Sequence, residues 1–385
     1  MKLFELLSLV TCGLSHLVPK KKNRWIFGAW FGKAVSDNSR AMSDYVKANH
    51  PEIEIIWVTD RLDDPALEGL KAVKRNSLGS LPYILTAQVA VMNQGFGDFC
   101  AVNLLGGCRK VQLWHGVAWK RIVRDALPEP KTMGEKLYRW VFDRINSYDL
   151  YVAPSETYGK VVESAFHADP KQIIYAGQPR NAALFDPEFC RESAAEIRRE
   201  LGLGERKLVM YMPTFRDKTA EVFTFCKPEI EAQLEDMAQG LGFAIVEKSH
   251  FKSTQRSGDS EGHNQGCVYT MPNADAAKLL AAADILITDY SSCFFDYLVR
   301  GKPVIHYVYD YEYYKNQDRG LYFTLEEAAA GDCAFDFDGL KAAIRRNLED
   351  SEATRDRREA ARQRFVTFES PDSPAEIYKR ISSTL

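Results

Sequence analysis

The sequence lacks the motifs that would place it in several large classes of cofactor and metal enzymes. No G-x-G-x-x-G follows a predicted strand and no G-x-x-x-x-G-K-[ST] is present, so a dinucleotide cofactor and a P-loop nucleotide site are disfavoured. There is also no H-E-x-x-H and no Cys/His cluster of zinc spacing, and the acidic residues are dispersed. We therefore expect neither cofactor nor metal, with cationic side chains and oriented amides stabilising any charge in the site.

Neither charge sign dominates, and the cysteines form no paired framework. The 385 residues include 50 Lys and Arg against 53 Asp and Glu. No motif that reads RNA or DNA is present either, so we expect no nucleic-acid partner. The eight cysteines contain no C-x-x-C pair, which favours a reducing cytosol over secretion. Because the chain exceeds the usual size of a single hydrophobic core, two domains are expected.

No hydrophobic run is long enough to cross a bilayer. The N-terminal MKLFELLSLVTCGLSHLV is short and interrupted by Glu5 and His16, and most of its positive charge follows the apolar run, unlike that of a signal peptide. Residues 1–22 therefore predict an amphipathic helix with a basic flank, which either lies on an anionic membrane surface or packs on the protein itself. We favour the membrane surface, with the protein peripheral on the cytoplasmic face of the cell membrane.

Short apolar runs alternate with helical segments through most of the chain. This alternation is typical of parallel sheets built from βαβ units. It predicts an α/β fold with two Rossmann-type domains whose polar strand-end loops face a central cleft, as in many nucleotide-sugar transferases. The expected divisions are an N-terminal domain over 23–186, a C-terminal domain over 187–350, and terminal helices over 351–385 that pack back on the first domain.

The most informative turn lies within residues 281–323. The run DILIT at 284–288 predicts a buried parallel strand, and Asp289, Ser291 and Ser292 follow it where a helix begins. Unpaired amides at a helix N-terminus, together with serine hydroxyls, bind phosphate. Alternatively, these residues only cap the helix. The two interpretations are compatible, because a capping turn is also what binds the anion.

Two histidines follow predicted strands, one in each half of the chain. His115 precedes Gly116, whose lack of a side chain would let a substrate come close. His250 follows the strand AIVEK in the second half. Histidine titrates near neutrality, so each is a candidate general base, although most of the seven histidines must be ordinary core or surface residues. Two histidines at strand ends on opposite sides of one cleft make a more specific pattern than either alone.

Several cationic residues also lie just beyond strands. Arg180 in GQPRN and Arg216 in PTFRD have guanidinium groups that could bind the phosphates of a diphosphate donor. Surface salt bridges would explain them equally well. Lys120 and Arg121 place positive charge next to His115, where it would either attract an anionic acceptor or form one solvated helix face.

Taken together, these segments resemble the CDP-glycerol glycerophosphotransferase family, the teichoic acid primase and polymerase group. The resemblance is carried by QLWHGVAWK at 112–120, GQPRN at 177–181, MYMPTFRD at 210–217, and ADILITDYSSCFFDYLVRGKPVIHYVYDYEYY with RGLYF within 283–323. It reaches from about residue 27 to about residue 323. The order W-H-G, P-T-F-R-D, T-D-Y-S-S is far more specific than any of the three strings alone.

The resemblance implies a GT-B-like fold, a CDP-alcohol donor in the C-terminal domain and an acceptor in the N-terminal domain. It implies catalytic roles for His115 and His250, although the K-S-H-F string around His250 lacks the proline usual in the family. Roles in binding the donor and its phosphates, or in lining the polar cleft beside them, are implied for Thr214, Arg216, Asp289, Ser291, Ser292, Asp296 and Arg319.

We therefore expect transfer of glycerol phosphate from CDP-glycerol to a hydroxyl of a lipid-linked or polymeric acceptor of teichoic acid or capsule type, with release of CMP. In this hypothesis His115 takes the proton of the acceptor hydroxyl as it attacks the β-phosphorus in line, and protonated His250 stabilises the departing phosphate. CDP-ribitol, another CDP-alcohol or a nucleotide sugar are alternative donors. A nucleotide-sugar epimerase and a non-catalytic scaffold are alternative functions of the same fold.

Overall fold

Two seven-stranded sheets organise the chain in a computed structural model that describes residues 3–214, 223–248, 264–312 and 320–385. The first sheet lies in a unit formed by Met1–Val117, Arg121–Ala182 and Phe368–Leu385. The second lies in a unit formed by Ala118–Lys120 and Ala183–Thr367. The α/β fold with two Rossmann-type units is thus confirmed.

All strands of the first sheet are parallel, in the order β3-β2-β1-β4-β5-β6-β7. They are β1 (Arg24–Gly28), β2 (Glu54–Thr59), β3 (Lys71–Lys74), β4 (Val89–Met92), β5 (Arg109–Gln112), β6 (Leu150–Ala153) and β7 (Ile173–Tyr175). The helices of this unit are α1 (Leu3–Ser15), α2 (Asp37–Asn49), α3 (Leu81–Leu85), α4 (Met133–Ile145), α5 (Glu156–Phe166) and a C-terminal helix, Ser373–Ser382.

The second sheet has the order β10-β11-β9-β8-β12-β13-β14, and β10 is antiparallel to its neighbour. Its strands are β8 (Lys207–Tyr211), β9 (Phe243–Glu247), β10 (Asn264–Gln265), β11 (Val268–Thr270), β12 (Ile285–Thr288), β13 (Val304–Tyr307) and β14 (Asp332–Ala334). Its described helices are α6 (Pro187–Glu200), α7 (Pro228–Ala232), α8 (Glu235–Leu241), α9 (Ala276–Ala282), α10 (Cys293–Tyr297), α11 (Leu325–Ala328), α12 (Phe337–Glu349) and α13 (Arg355–Phe365). The C-terminal helix is therefore α14.

The central strands are apolar because helices cover both faces of each sheet. All four residues of β4 and of β12 are buried. Bulky aromatic side chains, among them Trp25, Phe27 and Trp57, fill the first core, and Tyr211 and Phe243 belong to the second. Side-chain caps fix the ends of several helices; the Ser155 hydroxyl, for example, accepts a hydrogen bond from the Tyr158 amide at the start of α5.

Each sheet has a point at which the strand order reverses. In the first sheet β1 and β4 are neighbours although two strands separate them in sequence, and in the second β8 and β12 are neighbours although three strands separate them. Loops that leave the carboxyl ends of such strand pairs diverge and open a crevice, which is where ligands of doubly wound sheets bind. Among the described candidate site residues, Thr214 follows β8, Asp289, Ser291 and Ser292 follow β12, and His115 follows β5, the neighbour of β4.

The structure divides the C-terminal residues that the sequence groups together as 351–385. In α13 the ring of Phe365 packs against those of Phe295 and Phe323 at centroid distances of 5.1 and 4.9 Å, within the second unit. In α14 the ring of Tyr378 stacks on His50 at 3.6 Å, within the first unit. The aromatic anchors of the two helices thus belong to different units.

Candidate functional site

The candidate catalytic histidine is held where loops from three adjacent strands meet. His115 follows β5, and its ring lies between two indoles, Trp114 at 4.4 Å and Trp30 at 5.3 Å between ring centroids. Trp30 comes from the loop after β1, and Gln94, from the loop after β4, approaches the same imidazole. Trp114 and Trp30 have φ values of 57° and 50°. Such left-handed backbone is costly for a bulky residue and is common at functional sites.

Both polar neighbours of the His115 ring approach Nδ1. The Asn93 carbonyl oxygen lies 3.5 Å from Nδ1, and Gln94 Nε2 lies 3.2 Å from it. Within the described part of the chain, Nε2 of His115 has no hydrogen-bond partner. Burial lowers the pKa of His115 below its ordinary value; Arg180 acts in the same direction, while Asp37 and the Asn93 carbonyl oppose it. The ring is therefore largely neutral at pH 7 and able to accept a proton.

Arg180, expected at a donor phosphate, holds the backbone of the His115 loop in the first unit. Its guanidinium donates to the carbonyl oxygen of His115 at 3.2 Å and forms a short ion pair with Asp37. Asn38 adds two bonds, accepting from the Arg180 amide at 3.1 Å and donating to the Trp114 carbonyl at 3.0 Å. A phosphate contact of Arg180 stays a prediction.

A buried carboxylate that the sequence analysis missed joins two of the loops. Asp98 Oδ1 accepts from the Phe31 amide at 2.7 Å, and Oδ2 accepts from the amides of Asn93 and Gln94 at 3.0 and 2.9 Å. Burial raises the pKa of Asp98, and these backbone bonds oppose that rise. Gly28 permits the close approach, because a Cβ there would lie 2.9 Å from the Asp98 Cβ. The motif N-Q-G-F-G-D, a strand end followed by two glycines and an acid, could have pointed to this turn.

The predicted acceptor-side residues have different surroundings. Gly116 has φ = 128°, a conformation that essentially requires glycine. Lys120 belongs to the second unit, where it forms a β-bridge with Leu321. Arg121 is exposed on the first unit.

In the second unit a buried aspartate joins the loops after β8 and β12. Asp289 Oδ1 accepts from the Thr214 amide at 2.8 Å and from its hydroxyl at 2.5 Å. The Asp289 carbonyl accepts from His306 Nδ1 at 3.4 Å, because His306 Nε2 is already the acceptor for the Ala330 amide at 3.1 Å. Burial lowers the pKa of His306 to about 4, so this imidazole is neutral and structural.

The predicted phosphate turn is only partly buried. Ser291 and Ser292 retain partial exposure, whereas the side chains of Asp289 and Tyr290 are buried. The helix that follows, α10, has five residues and continues as a 3-10 turn, Leu298–Arg300. Ser291 and Ser292 are therefore partly accessible from solvent, and the Ser291 hydroxyl accepts a hydrogen bond from the Cys293 amide at 3.5 Å, which corresponds to the capping alternative. Asp296 in α10 is buried.

Three predicted site residues, Arg216, His250 and Arg319, lie outside the described residues. Within the described ranges, Glu231, Glu235 and Cys267 could together hold a metal ion, since one ligand atom from each lies within 4.8 Å of the others. Burial, followed by interaction with Glu235, raises the pKa of Cys267 to about 12, so its thiol stays protonated near neutrality. A protonated thiol is a poor metal ligand, and this group carries no argument for a metal.

Comparison with known proteins decides the family. The model of the family described as CDP-Glycerol:Poly(glycerophosphate) glycerophosphotransferase matches residues 11–383. The chain belongs to this family. It is therefore, as predicted, a glycerophosphotransferase that moves glycerol phosphate from CDP-glycerol to an acceptor.

Glycerophosphotransferase relatives of known name span most of the chain. The teichoic acid poly(glycerol phosphate) polymerase of Bacillus spizizenii (strain W23) is 28% identical over 324 residues, 82% of this chain and 81% of that protein. The teichoic acid glycerol-phosphate transferase of Staphylococcus aureus (strain NCTC 8325) is 25% identical over 99% of this chain and 98% of its own length. The chain spans only 43% of the Bacillus subtilis (strain 168) polymerase, which is 29% identical.

Solved structures agree with the family. The wall teichoic acid polymerase TagF superposes with a TM-score of 0.78 at 26% identity, covering 98% of this chain and 95% of that one. A UDP-N-acetylglucosamine 2-epimerase from Neisseria meningitidis reaches a TM-score of 0.57 at 12% identity over 94% of this chain and 99% of its own, which concerns the fold alone. The glycerophosphotransferase is thus GT-B-like, and the epimerase alternative is not favoured.

Proposed function

We propose that His115 is the general base of the glycerophosphotransferase and that the acceptor is a lipid-linked or polymeric glycan of teichoic acid type. The observation that carries the base assignment is the held imidazole, with Nδ1 toward the protein and Nε2 without a hydrogen-bond partner among the described residues. Nε2 takes the proton of an acceptor hydroxyl. The oxygen then attacks the β-phosphorus of CDP-glycerol, and the bond from that phosphorus to CMP breaks.

The donor phosphates lie against the second unit in this proposal. Ser291 and Ser292 supply hydroxyl donors from a partly exposed turn, and Asp289 holds Thr214 beside that turn. Arg216, His250 and Arg319 retain their predicted roles: His250 and Arg216 stabilise the charge on the departing phosphate, and Arg319 binds the donor or lines the polar cleft beside it. Phosphoryl transfer depends mainly on such positioning and charge stabilisation.

Replacing His115 by Ala tests the base. We expect CMP release from CDP-glycerol in the presence of acceptor to fall by about two to four orders of magnitude, the range usual for general acid–base catalysis. His167→Asn is a matched control, because His167 is an exposed histidine that ends α5 in the left-handed conformation, which Asn tolerates. Full turnover by a folded His115→Ala protein would remove the assignment. Parallel assays with CDP-ribitol test the alternative donor.

We further propose that the protein binds an anionic membrane surface through a face made by two helices. Among the described residues fifteen large hydrophobic side chains are exposed, and eight lie on or beside α1 and α4. These eight, here called the two-helix face, are Leu6, Leu7, Val10, Leu14, Leu17, Met133, Leu137 and Trp140. The helices contact each other, and the Tyr138 hydroxyl of α4 hydrogen-bonds to Glu5 of α1. The apolar residues are thus held together on one unit.

The charge beside the two-helix face favours a lipid surface as its partner. Lys22, Lys131, Lys136 and Arg144 are exposed in or beside the two helices, and the guanidinium of Arg144 lies 5.2 Å from the Trp140 ring. Tryptophan and flanking cations are typical of helices that lie at a membrane interface. No described helix has the length and apolar character needed to cross a bilayer. All eight cysteines are free thiols, which supports action on the cytoplasmic side.

Vesicle sedimentation tests the two-helix face. We expect the double variant Leu14→Gln, Leu137→Gln to bind vesicles containing phosphatidylglycerol about tenfold or more weakly, since less apolar surface enters the lipid. Leu78→Gln is the control, because Leu78 is the most exposed large hydrophobic residue of the same unit and lies outside the face. Equal loss in both variants, or none in the double variant, would contradict the proposal. The wild-type protein should bind vesicles of phosphatidylcholine alone more weakly than vesicles that contain phosphatidylglycerol. Added salt should reduce the difference in binding between these two kinds of vesicle.

A further inference from the structure

The two polar neighbours of His115 Nδ1 favour opposite tautomers of the imidazole. The Asn93 carbonyl can only accept a hydrogen bond, so it favours a proton on Nδ1 and leaves a lone pair on Nε2. The Gln94 side chain places its amino nitrogen Nε2, a donor, 3.2 Å from Nδ1, and a half-turn of the carboxamide would place the acceptor Oε1 there instead. With its amino group toward Nδ1 it favours the tautomer protonated at Nε2, which cannot act as a base there.

Neighbouring groups hold the backbone around Gln94, and this fixes the position from which its side chain approaches the His115 ring. The backbone N–H of Gln94 donates to Asp98 Oδ2 at 2.9 Å. Gly95, which follows, has φ = 142°, and a Cβ there would lie 2.6 Å from the Tyr148 hydroxyl. Trp30 and Trp114 flank the imidazole and restrict its rotation. A half-turn of the Gln94 side-chain carboxamide about its terminal torsion exchanges the oxygen and the nitrogen that face Nδ1.

We propose that Gln94 is a positioning residue that turns its carbonyl oxygen to His115 Nδ1 and so keeps the catalytic lone pair on Nε2. The Asn93 carbonyl belongs to the main chain and cannot turn away from Nδ1. A proton on Nδ1 can be shared between this oxygen and the Gln94 side-chain oxygen, whereas the Gln94 amino group at the same place would oppose that proton. This inference rests on the proposed role of His115 as base.

The same arrangement serves the proton transfer. When the acceptor O–H bond breaks, its proton moves to Nε2, and the electron pair of that oxygen forms the new bond to phosphorus as the bond to CMP breaks. The imidazolium then donates Nδ1–H to the Gln94 and Asn93 oxygens, which stabilise its positive charge. Asp37 also favours this charged form and Arg180 opposes it; among the described residues these are the charged groups that act on the ring.

Two substitutions at residue 94 test the inference through pH profiles and histidine ¹⁵N spectra. Gln94→Met keeps the length of the side chain but removes both polar atoms; we expect kcat to fall about tenfold with little change in KM, and Nε2–H to become more populated. Gln94→Glu provides only acceptors and a negative charge; we expect the acid limb of kcat/KM to move up by about one pH unit. Gln363→Glu, which adds the same charge at an exposed glutamine of α13, should leave that limb unchanged.

The spectra separate this inference from the proposed function. If wild type carries its proton on Nε2, or if Gln94→Met alters neither tautomer nor kcat, the positioning role of Gln94 is wrong whatever His115 does. If Gln94→Met changes the tautomer while kcat stays at the wild-type value, the base assignment of His115 is wrong instead. Protected backbone amides in hydrogen exchange would establish that both variants keep the fold.

Discussion

The Asp98 carboxylate should hold the loops around His115 together, and Asp98→Ala is the most informative way to disturb them. It receives three backbone N–H groups, from Phe31 on the loop after β1 and from Asn93 and Gln94 on the loop after β4. Asp98 and Asn93 are buried, whereas Phe31 and Gln94 retain some exposure. The Asn93 amide therefore loses its partner outright in the variant, while water can partly replace the carboxylate at the other two.

The magnitude follows from these three bonds. A hydrogen bond to a charged group contributes about 1.5–3 kcal/mol, and a buried donor left unsatisfied costs about 1–3 kcal/mol. Part of this is offset, because the carboxylate is itself buried at a cost that raises its pKa. We expect a net local loss of about 3 kcal/mol, or about two orders of magnitude in the opening equilibrium of these loops. Turnover should fall as well, because Trp30 and Gln94 would no longer be fixed against His115.

Hydrogen exchange followed by mass spectrometry is the suitable assay, since a chain with two structural units need not unfold in one step. Amides of 29–33 and 92–98 should exchange about a hundredfold faster in Asp98→Ala, while those of the second unit stay unchanged. Asp63→Ala is the control, because Asp63 is exposed in the same unit and its 3.5 Å ion pair with Arg61 is worth little. Unchanged exchange and full activity in Asp98→Ala would refute the reasoning.

Three further changes have defined outcomes. The folded-state pKa of His306, about 4, lies below the unfolded value, so the folded second unit binds fewer protons than the unfolded one. About 3 kcal/mol of the stability of this unit is therefore present above pH ~6.5 and lost as pH falls toward 4. Chemical denaturation at a series of pH values should show this loss, and His306→Phe should remove the pH dependence. Trp119→Phe deletes the 2.7 Å indole N–H bond to the Phe323 carbonyl and should cost about 1 kcal/mol in the second unit, read as a lower thermal midpoint. Gly95→Ala combines a disallowed φ with a clash at Tyr148 and should cost at least about 2 kcal/mol, whereas Gly13→Ala, which meets nothing within 4 Å, should not destabilise.

The parts of this structure that the sequence predicts are those set by local pattern. The buried runs at 284–288 and 208–212 correspond to β12 and β8, because parallel strands covered on both faces need continuous apolar side chains. The aromatic run RWIFGAWF at 24–31 is typical of a strand, yet β1 ends at Gly28 and the chain turns into a 3-10 segment, Trp30–Gly32. That turn depends on the Asp98 bond to the Phe31 amide, a contact between residues 67 apart in sequence. Long-range pairing of this kind leaves no periodic signal.

The candidate site residues also divide into those that local sequence pattern predicts and those that depend on contacts between distant residues. His115 and the serines at 291 and 292 are visible because a polar residue directly follows an apolar strand. Gln94 also follows a strand, but a glutamine has no titration near neutrality to single it out, and its relation to His115 exists only once β4 and β5 pair. Arg180 was recognised as a cation beyond a strand, whereas its bonds to Asp37 and to the His115 carbonyl depend on the fold.

A common feature of the two strand-order reversals agrees with the proposal that a histidine, rather than an acid, moves the proton. Where β1 and β4 diverge, the loops have no ladder to join them, and Asp98 bridges them through backbone amides. Asp289 does the same between the loops after β8 and β12, through the Thr214 amide and hydroxyl. The carboxylate oxygens that accept these bonds are occupied by groups of the loops. The described buried acids at the two reversals are thus committed to shaping the loops. His115 lies on the loop after β5, the strand next to β4, is neutral near pH 7, and keeps one nitrogen clear of hydrogen bonds to the described residues.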